Sequence, residues 1–165
     1  MAELTNLESK LGEVMGLAMA AQAATEKVTK LAEDEASELL PTLQQMNDEA
    51  AETESRCMSI IDRLDGKKTA LQEEARTTKS KGSEMLKTYL DSESDALEGF
   101  EFLTMAEAGE VGHWKVLKAM NDRQGDPDIA QLCEWAIPIQ ERHFADVNQA
   151  SLQLAASEDP SAISG

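Results

Sequence analysis

The chain has 165 residues, with 32 acidic and 15 basic side chains and a formal net charge of −17. A surface this acidic repels nucleic acid and anionic lipid, so neither is an expected partner. No apolar run is long enough to span a bilayer, and residues 1–10 lack the basic and apolar regions of a secretory signal. We therefore expect a cytoplasmic protein with no membrane partner.

The composition indicates a single all-α domain. Ala, Leu, Met, Glu and Lys are abundant, whereas there are nine glycines and four prolines. The length fits one domain over residues 1–157, followed by a flexible C-terminal tail over residues 158–165. Cys57 and Cys133 lie inside predicted helices, so we expect small buried hydrophobic groups rather than a disulfide framework.

The first two helices are predicted from caps and apolar seams. T-N-L-E offers a capping box at Thr5, and P-T-L places Pro41 in the first turn of the second helix, which D-G at 65–66 ends. Both seams recur at spacings of three and four. They are Leu7, Leu11, Val14, Ala18, Ala21, Thr25, Val28 and Ala32, then Leu43, Met46, Ala50, Thr53, Cys57, Ile60 and Leu64.

Residues 67–90 differ in character from the rest of the chain. They hold six of the fifteen basic residues, and Gly82 interrupts a weak apolar stripe. We predict a short, partly exposed helix that crosses from the second long helix to the third. Its basic cluster is interpreted as a solvated face that balances the acidic remainder, with partner docking as the alternative.

Two further long helices complete the predicted architecture. The third runs from about Asp95 to Asn121 and the fourth from Pro127 to about Ala155, separated by the stop and restart signals of N-D-R-Q-G-D-P. Pro138 is expected to kink the fourth helix. Four long helices with two tight connections and one long crossover predict a four-helix bundle.

Two carboxylates interrupt the apolar stripe of the third long helix. That stripe consists of Phe100, Leu103, Glu107, Glu110, Trp114 and Leu117. Burying two bare carboxylates costs on the order of several kcal/mol per ion unless something compensates, and no Lys or Arg stands three or four positions away. A second stripe, turned by roughly 60°, holds Phe102, Ala106, Glu110, His113, Leu117 and Met120. Either His113 or Glu107 therefore faces the core, whereas Glu110 lies on both stripes.

The last helix repeats the anomaly. His143 occupies a position on its seam where Leu is expected, and Gln140 lies one turn earlier. A cation held between the helices would explain both sets of polar residues, and carboxylates with an imidazole suit iron, manganese or zinc better than calcium. On the first two helices, Glu26 and Glu49 flank the seams and Glu52 should point away. A solvated surface carboxylate is the alternative for each.

Three short motifs carry a family resemblance. E-A-G-E at 107–110, E-V-G-H at 110–113 and Q-E-R-H at 140–143 resemble the ferritin-like superfamily, especially the rubrerythrin type. The crossover helix is similar to that of YciE/YciF-type bacterial ferritin-like stress proteins. The resemblance implies a ferritin-like four-helix bundle with an additional short crossover helix, around two irons. The implied metal ligands are Glu26, Glu49, Glu52, Glu107, Glu110, His113, Gln140 and His143.

The resemblance also implies a function and leaves alternatives. It implies a non-haem di-iron or di-metal carboxylate site that oxidises or sequesters iron, or protects against oxidative stress, with oxygen or peroxide as the oxidant. Manganese or zinc could replace iron, and a homodimer or higher oligomer is expected. Glu52 stands where the family has His, and Gln140 where it has Glu. These departures keep open a metal-free structural or interaction bundle. A third alternative is a cargo or partner protein that is recognised through its acidic surface or its C-terminal tail.

Overall fold

The computed structural model describes residues 2–164, and its regular elements within that span are all helical. The elements are α1 (Asn6–Ala32), a 3₁₀ turn (Ser37–Leu39), α2 (Leu40–Ile61), α3 (Lys68–Tyr89), α4 (Ala96–Gln124) and α5 (Pro127–Ala155). The predicted all-α class is confirmed. None of the helices formed by residues 2–164 combines the length and the apolar character needed to cross a membrane.

Local capping signals set the helix boundaries. Thr5 accepts a hydrogen bond from the backbone N–H of Glu8, whose carboxylate accepts from the backbone N–H of Thr5. Asp95 and Glu98 form the same reciprocal cap at the start of α4. Gly125 ends α4 with a φ of 77°, a left-handed conformation that favours glycine. The caps predicted at Thr5, Gly125 and Asp126 are confirmed, whereas the reciprocal cap at Asp95 was not predicted.

The prediction of a short crossover helix is wrong. α3 has 22 residues, the same length as α2, and it continues through Gly82. A Cβ atom at Gly82 would lie 2.7 Å from the Cβ of Ala20, so this glycine allows α3 to approach α1 closely instead of breaking the helix. α5 continues as one helix across Pro138, and the kink expected there stays a prediction.

Four helices surround the core, and α3 packs outside them against α1. α1 packs against α2 and α4, and α5 packs against α4 and α2. Lys67, just before α3, pairs with Glu8 at 2.8 Å, so α3 runs parallel to α1. The backbone N–H of Ala96 donates to Glu35 at 3.0 Å, so α4 begins where α1 ends and runs antiparallel to it.

The core consists of two apolar clusters. One contains Leu11, Val14, Met15, Cys57, Ile60, Ile61, Leu71, Ala75, Trp114, Leu117, Ile129, Leu132, Cys133 and Ala136. The other contains Ala24, Val28, Ala32, Ala36, Leu43, Met46, Leu90, Ala96, Phe100, Phe102, Leu103, Val147 and Ala150. On α2, α4 and α5 the positions between the two clusters hold the polar layer, which we define as Glu49, Thr53, Glu107, Glu110, Gln140 and His143.

Contact between α1 and α3 depends on glycine. A Cβ atom at Gly16 would overlap the carbonyl oxygen of Ala75 and lie 2.6 Å from the Cβ of Thr78, whereas a Cβ at Gly112 of α4 would meet nothing within 4 Å. We expect Gly16→Ala to lower the free energy of unfolding by roughly 1–3 kcal/mol because the helices must separate. Gly112→Ala should raise it by up to about 1 kcal/mol through helix propensity. Urea denaturation followed by circular dichroism measures both, and equal stability of the two variants would contradict this packing.

Candidate metal centre

α4 turns its two carboxylates into the core. Glu107 is 1% exposed and Glu110 is 4% exposed, and they continue the buried stripe of Phe100, Leu103 and Trp114. The first of the two alternative stripes is therefore the one that faces the core. Both carboxylates lie between the two apolar clusters, on the inner side of the bundle.

α5 places an imidazole opposite these carboxylates. His143 is 2% exposed; its Nδ1 atom lies 3.7 Å from Oε2 of Glu107, and its Nε2 atom lies 3.4 Å from Oε1 of Glu49 on α2. The two ring nitrogens therefore face different carboxylates. One ring nitrogen can bind a metal ion beside its carboxylate, while the other ring nitrogen donates its N–H to the remaining carboxylate.

Gln140 connects the two carboxylates of α4. In the orientation that satisfies all three side chains, its Nε2 atom donates to Oε2 of Glu107 at 2.9 Å and to Oε2 of Glu110 at 3.2 Å. If the amide is rotated by half a turn, its carbonyl oxygen faces two carboxylate oxygens. Only a cation or a shared proton makes that second arrangement favourable.

The negative charges of Glu49, Glu107 and Glu110 are not neutralised equally by neighbouring side chains. Glu49 is paired with Arg142 and is only partly buried. Within residues 2–164, Glu107 and Glu110 have no ion pair with Lys or Arg. Burial, together with the adjacent charge of Glu107, raises the pKa of Glu110 well above its ordinary value of 4.5. A proton on Glu110 therefore relieves the repulsion when no cation is present.

Three of the residues predicted as ligands lie outside this group. Glu26 is exposed on α1. Glu52 is exposed on α2 and pairs with Arg56 at 2.8 Å. His113 is 44% exposed at its side chain and faces α1, where its Nδ1 atom lies 3.4 Å from Oε2 of Glu13. The structure brings together the other five predicted residues, Glu49, Glu107, Glu110, Gln140 and His143.

α1 contributes a hydroxyl where the resemblance implies an acid. Thr25 is buried on the inner face, donates to the carbonyl of Ala21 at 2.9 Å and accepts from Asn47. The residue next to it, Glu26, is turned by roughly 100° and reaches solvent. The predicted seam of α1 includes Thr25 as its polar member, and this pattern favours the observed orientation of α1, with Thr25 inside and Glu26 outside.

Sequence analysis missed one charged residue of the site and one buried donor. Arg142, within Q-E-R-H, reaches back to α2 and neutralises Glu49. The indole Nε1 of Trp114 is buried without a hydrogen-bond partner in residues 2–164. The position of Arg142 beside His143 was visible in the sequence, but its pairing with Glu49 depends on how α2 packs against α5.

The donor atoms fit one metal ion better than two. A two-metal carboxylate centre takes a carboxylate from each of two helices and a carboxylate–imidazole pair from each of the other two. Here α1 supplies no acid to the polar layer, and His143 is its single imidazole. No group of three or more His, Cys, Asp or Glu side chains in residues 2–164 is already arranged to hold a metal ion. Holding one ion would require the Gln140 amide and the carboxylates to reorient.

Comparison of the chain with protein-family models, curated proteins and solved structures finds no match.

The raised pKa of Glu110 predicts a pH-dependent difference in stability. In chelator-treated protein, folded Glu110 keeps its proton at pH values where unfolded Glu110 has lost it. Relative to Glu110→Gln, the free energy of unfolding of the wild type should fall by up to about 1.4 kcal/mol per pH unit as the pH rises from 4.5 to the pKa of Glu110 in the folded state. Above that pKa the difference should level off.

Urea denaturation at a series of pH values measures this difference. Glu101→Gln, which removes an exposed carboxylate from the same helix, is the matched control and should not reproduce the trend. If the free energies of unfolding of Glu110→Gln and the wild type differ by the same amount at every pH, the assignment of the proton to Glu110 is wrong.

Proposed function

We propose that this protein is a ferritin-like metal-binding protein that holds a single divalent transition-metal ion in its polar layer. One observation carries the proposal: Glu107 and Glu110 are almost completely buried beside His143, and no Lys or Arg in residues 2–164 pairs with either. Carboxylates in such a place are stabilised by a cation or by a proton. The imidazole beside them adds a nitrogen ligand to the carboxylate oxygens, a combination that transition metals prefer.

The proposed ligands come from the α4–α5 pair. Glu107 and Glu110 supply carboxylate oxygens, and His143 supplies Nδ1, the nitrogen that faces Glu107. Rotation of the Gln140 amide would turn its carbonyl oxygen toward the ion, as a fourth ligand. Iron, manganese and zinc all accept this mixture of oxygen and imidazole ligands.

Glu49 orients the imidazole in this scheme. It accepts the N–H of Nε2 of His143, which leaves the lone pair of Nδ1 directed toward the α4 carboxylates. Arg142 in turn holds Glu49 from the side that is open to solvent. Such partners of a metal-bound histidine fix its tautomer and strengthen the ligand.

Sequestration of one ion is the activity that these residues support. Two-iron oxidation would need a second set of ligands, and Glu26, Glu52 and His113 lie outside the group. These residues therefore do not support a two-metal reaction. If iron is the ion, its removal from solution would protect against oxidative stress, in keeping with the family resemblance.

A metal-free helical bundle is the second candidate. It is supported by the Gln140 amide, which can donate to both carboxylates without an ion, and by the preference of Glu110 for a proton. In that case the polar layer would specify how the helices pair. Polar core residues are known to select a unique packing at a cost in stability.

Metal titration separates the two candidates. Trp114 lies one turn from Glu110 and is fully buried, so its fluorescence reports on the polar layer. In a Trp135→Phe background, Co²⁺ should quench Trp114 emission and saturate at one equivalent. Glu107→Gln and His143→Ala should abolish this saturation, whereas the exposed-site controls Glu26→Gln and Glu52→Gln should retain it.

Glu49→Gln tests the orienting role. It should weaken Co²⁺ binding by roughly 10- to 100-fold without changing the stoichiometry. Absence of quenching, together with protein purified without chelator that contains no metal, would favour the metal-free bundle. Saturation at two equivalents that Glu26→Gln reduces to one would instead restore a two-metal centre.

A further inference from the structure

A second feature of the polar layer is a cavity that reaches it from outside the bundle. The cavity has a volume of about 210 Å³ and lies between α1, α3 and α4. Its walls are mostly apolar and include Ala20, Ala24, Gly82, Met85, Phe102 and Ala106. Met85 and Met105, which are 45% and 39% exposed, stand at its rim.

The inner end of this cavity is acidic. Glu107 and Glu110 both line it, although they are almost completely buried. Gln140 approaches only Oε2 of Glu110, so no group in residues 2–164 donates a hydrogen bond to Oε1. The cavity therefore ends on carboxylate oxygens, which can accept hydrogen bonds from a ligand.

We propose that this cavity binds a small alkylammonium ion, with its hydrocarbon tail between α1, α3 and α4 and its head group against Glu107 and Glu110. An ammonium group has three N–H donors and no acceptor, which suits an end formed by carboxylate oxygens. A carboxylate head group would be repelled by the charge of Glu107. A hydroxyl head group would supply one donor and no charge.

The volume limits the length of the tail. Water occupies roughly 30 Å³ in the liquid, so the cavity corresponds to about seven water molecules. A chain of about six carbons with its head group is of that size. Longer chains would have to extend past Met85 and Met105 into solvent.

This inference does not rest on the metal proposal, although both involve the same two carboxylates. An alkylammonium ion approaches from the α1 side, whereas His143 and Gln140 lie on the α5 side. Chelator-treated protein is used for the ligand titration, so its result is independent of the Co²⁺ titration described above. Failure of either experiment leaves the other one interpretable.

Three probes with the same tail test the head group. Isothermal titration calorimetry with n-hexylammonium, n-hexanol and n-hexanoate should show n-hexylammonium binding roughly 10- to 100-fold more tightly than n-hexanol, because its hydrogen bonds are charge-assisted. Binding of n-hexanoate should be undetectable. Equal affinity for n-hexylammonium and n-hexanol, or no binding of n-hexylammonium, would overturn the proposal.

Two glycines of α4 provide a matched pair of variants. Gly109 lines the cavity and Gly112 does not, and a Cβ atom at either would meet nothing within 4 Å. Gly109→Leu should fill the cavity and abolish n-hexylammonium binding, whereas Gly112→Leu, with the same gain in helix propensity, should bind like the wild type. Thermal unfolding checks that both variants are folded. Equal binding by the two variants would place the ligand elsewhere and reject the cavity.

Discussion

The burial of two neighbouring carboxylates is the constraint on which the interior of this protein depends. Glu107 and Glu110 lie almost completely buried between two apolar clusters, where little water is present to screen their charges. Two neighbours of the pair can be understood as responses to that charge: Gln140 can donate to both carboxylates, and His143 faces one of them. Burial beside Glu107 also raises the pKa of Glu110. A divalent cation and an alkylammonium ion are two further ways to supply the missing positive charge.

The helices contribute unequally to this layer, and the inequality limits its chemistry. α4 and α5 supply the two carboxylates, the amide and the imidazole, whereas α2 supplies Glu49, which Arg142 already neutralises. α1 supplies no member of the layer, and the buried hydroxyl of Thr25 on that helix is occupied by backbone and Asn47 contacts. Two-metal carboxylate bundles take acids from all four helices. Here the uncompensated charge is confined to one pair.

Most of the helix boundaries could be predicted from sequence because caps are local. The pairs Thr5–Glu8 and Asp95–Glu98 need only a few residues to form. The inward direction of Glu110 was also predictable, since it lies on both candidate stripes. The choice between Glu107 and His113 was not, because it depends on how α4 packs against α1 and α5. The length of α3 was mispredicted for the same kind of reason: Gly82 weakens a helix locally but fits against α1.

The short connection between α4 and α5 has a consequence for how the protein folds. These helices pack extensively and are joined by Gly125 and Asp126 alone, so the residues in contact are near one another in sequence. Because the loop is short, these contacts can form early in folding. Contact between α1 and α4 forms later, because α2 and α3 lie between them in the chain. Glu107, Glu110, Gln140 and His143 all belong to this α4–α5 hairpin. The hairpin can therefore gather the four polar groups during folding, before α1 covers them.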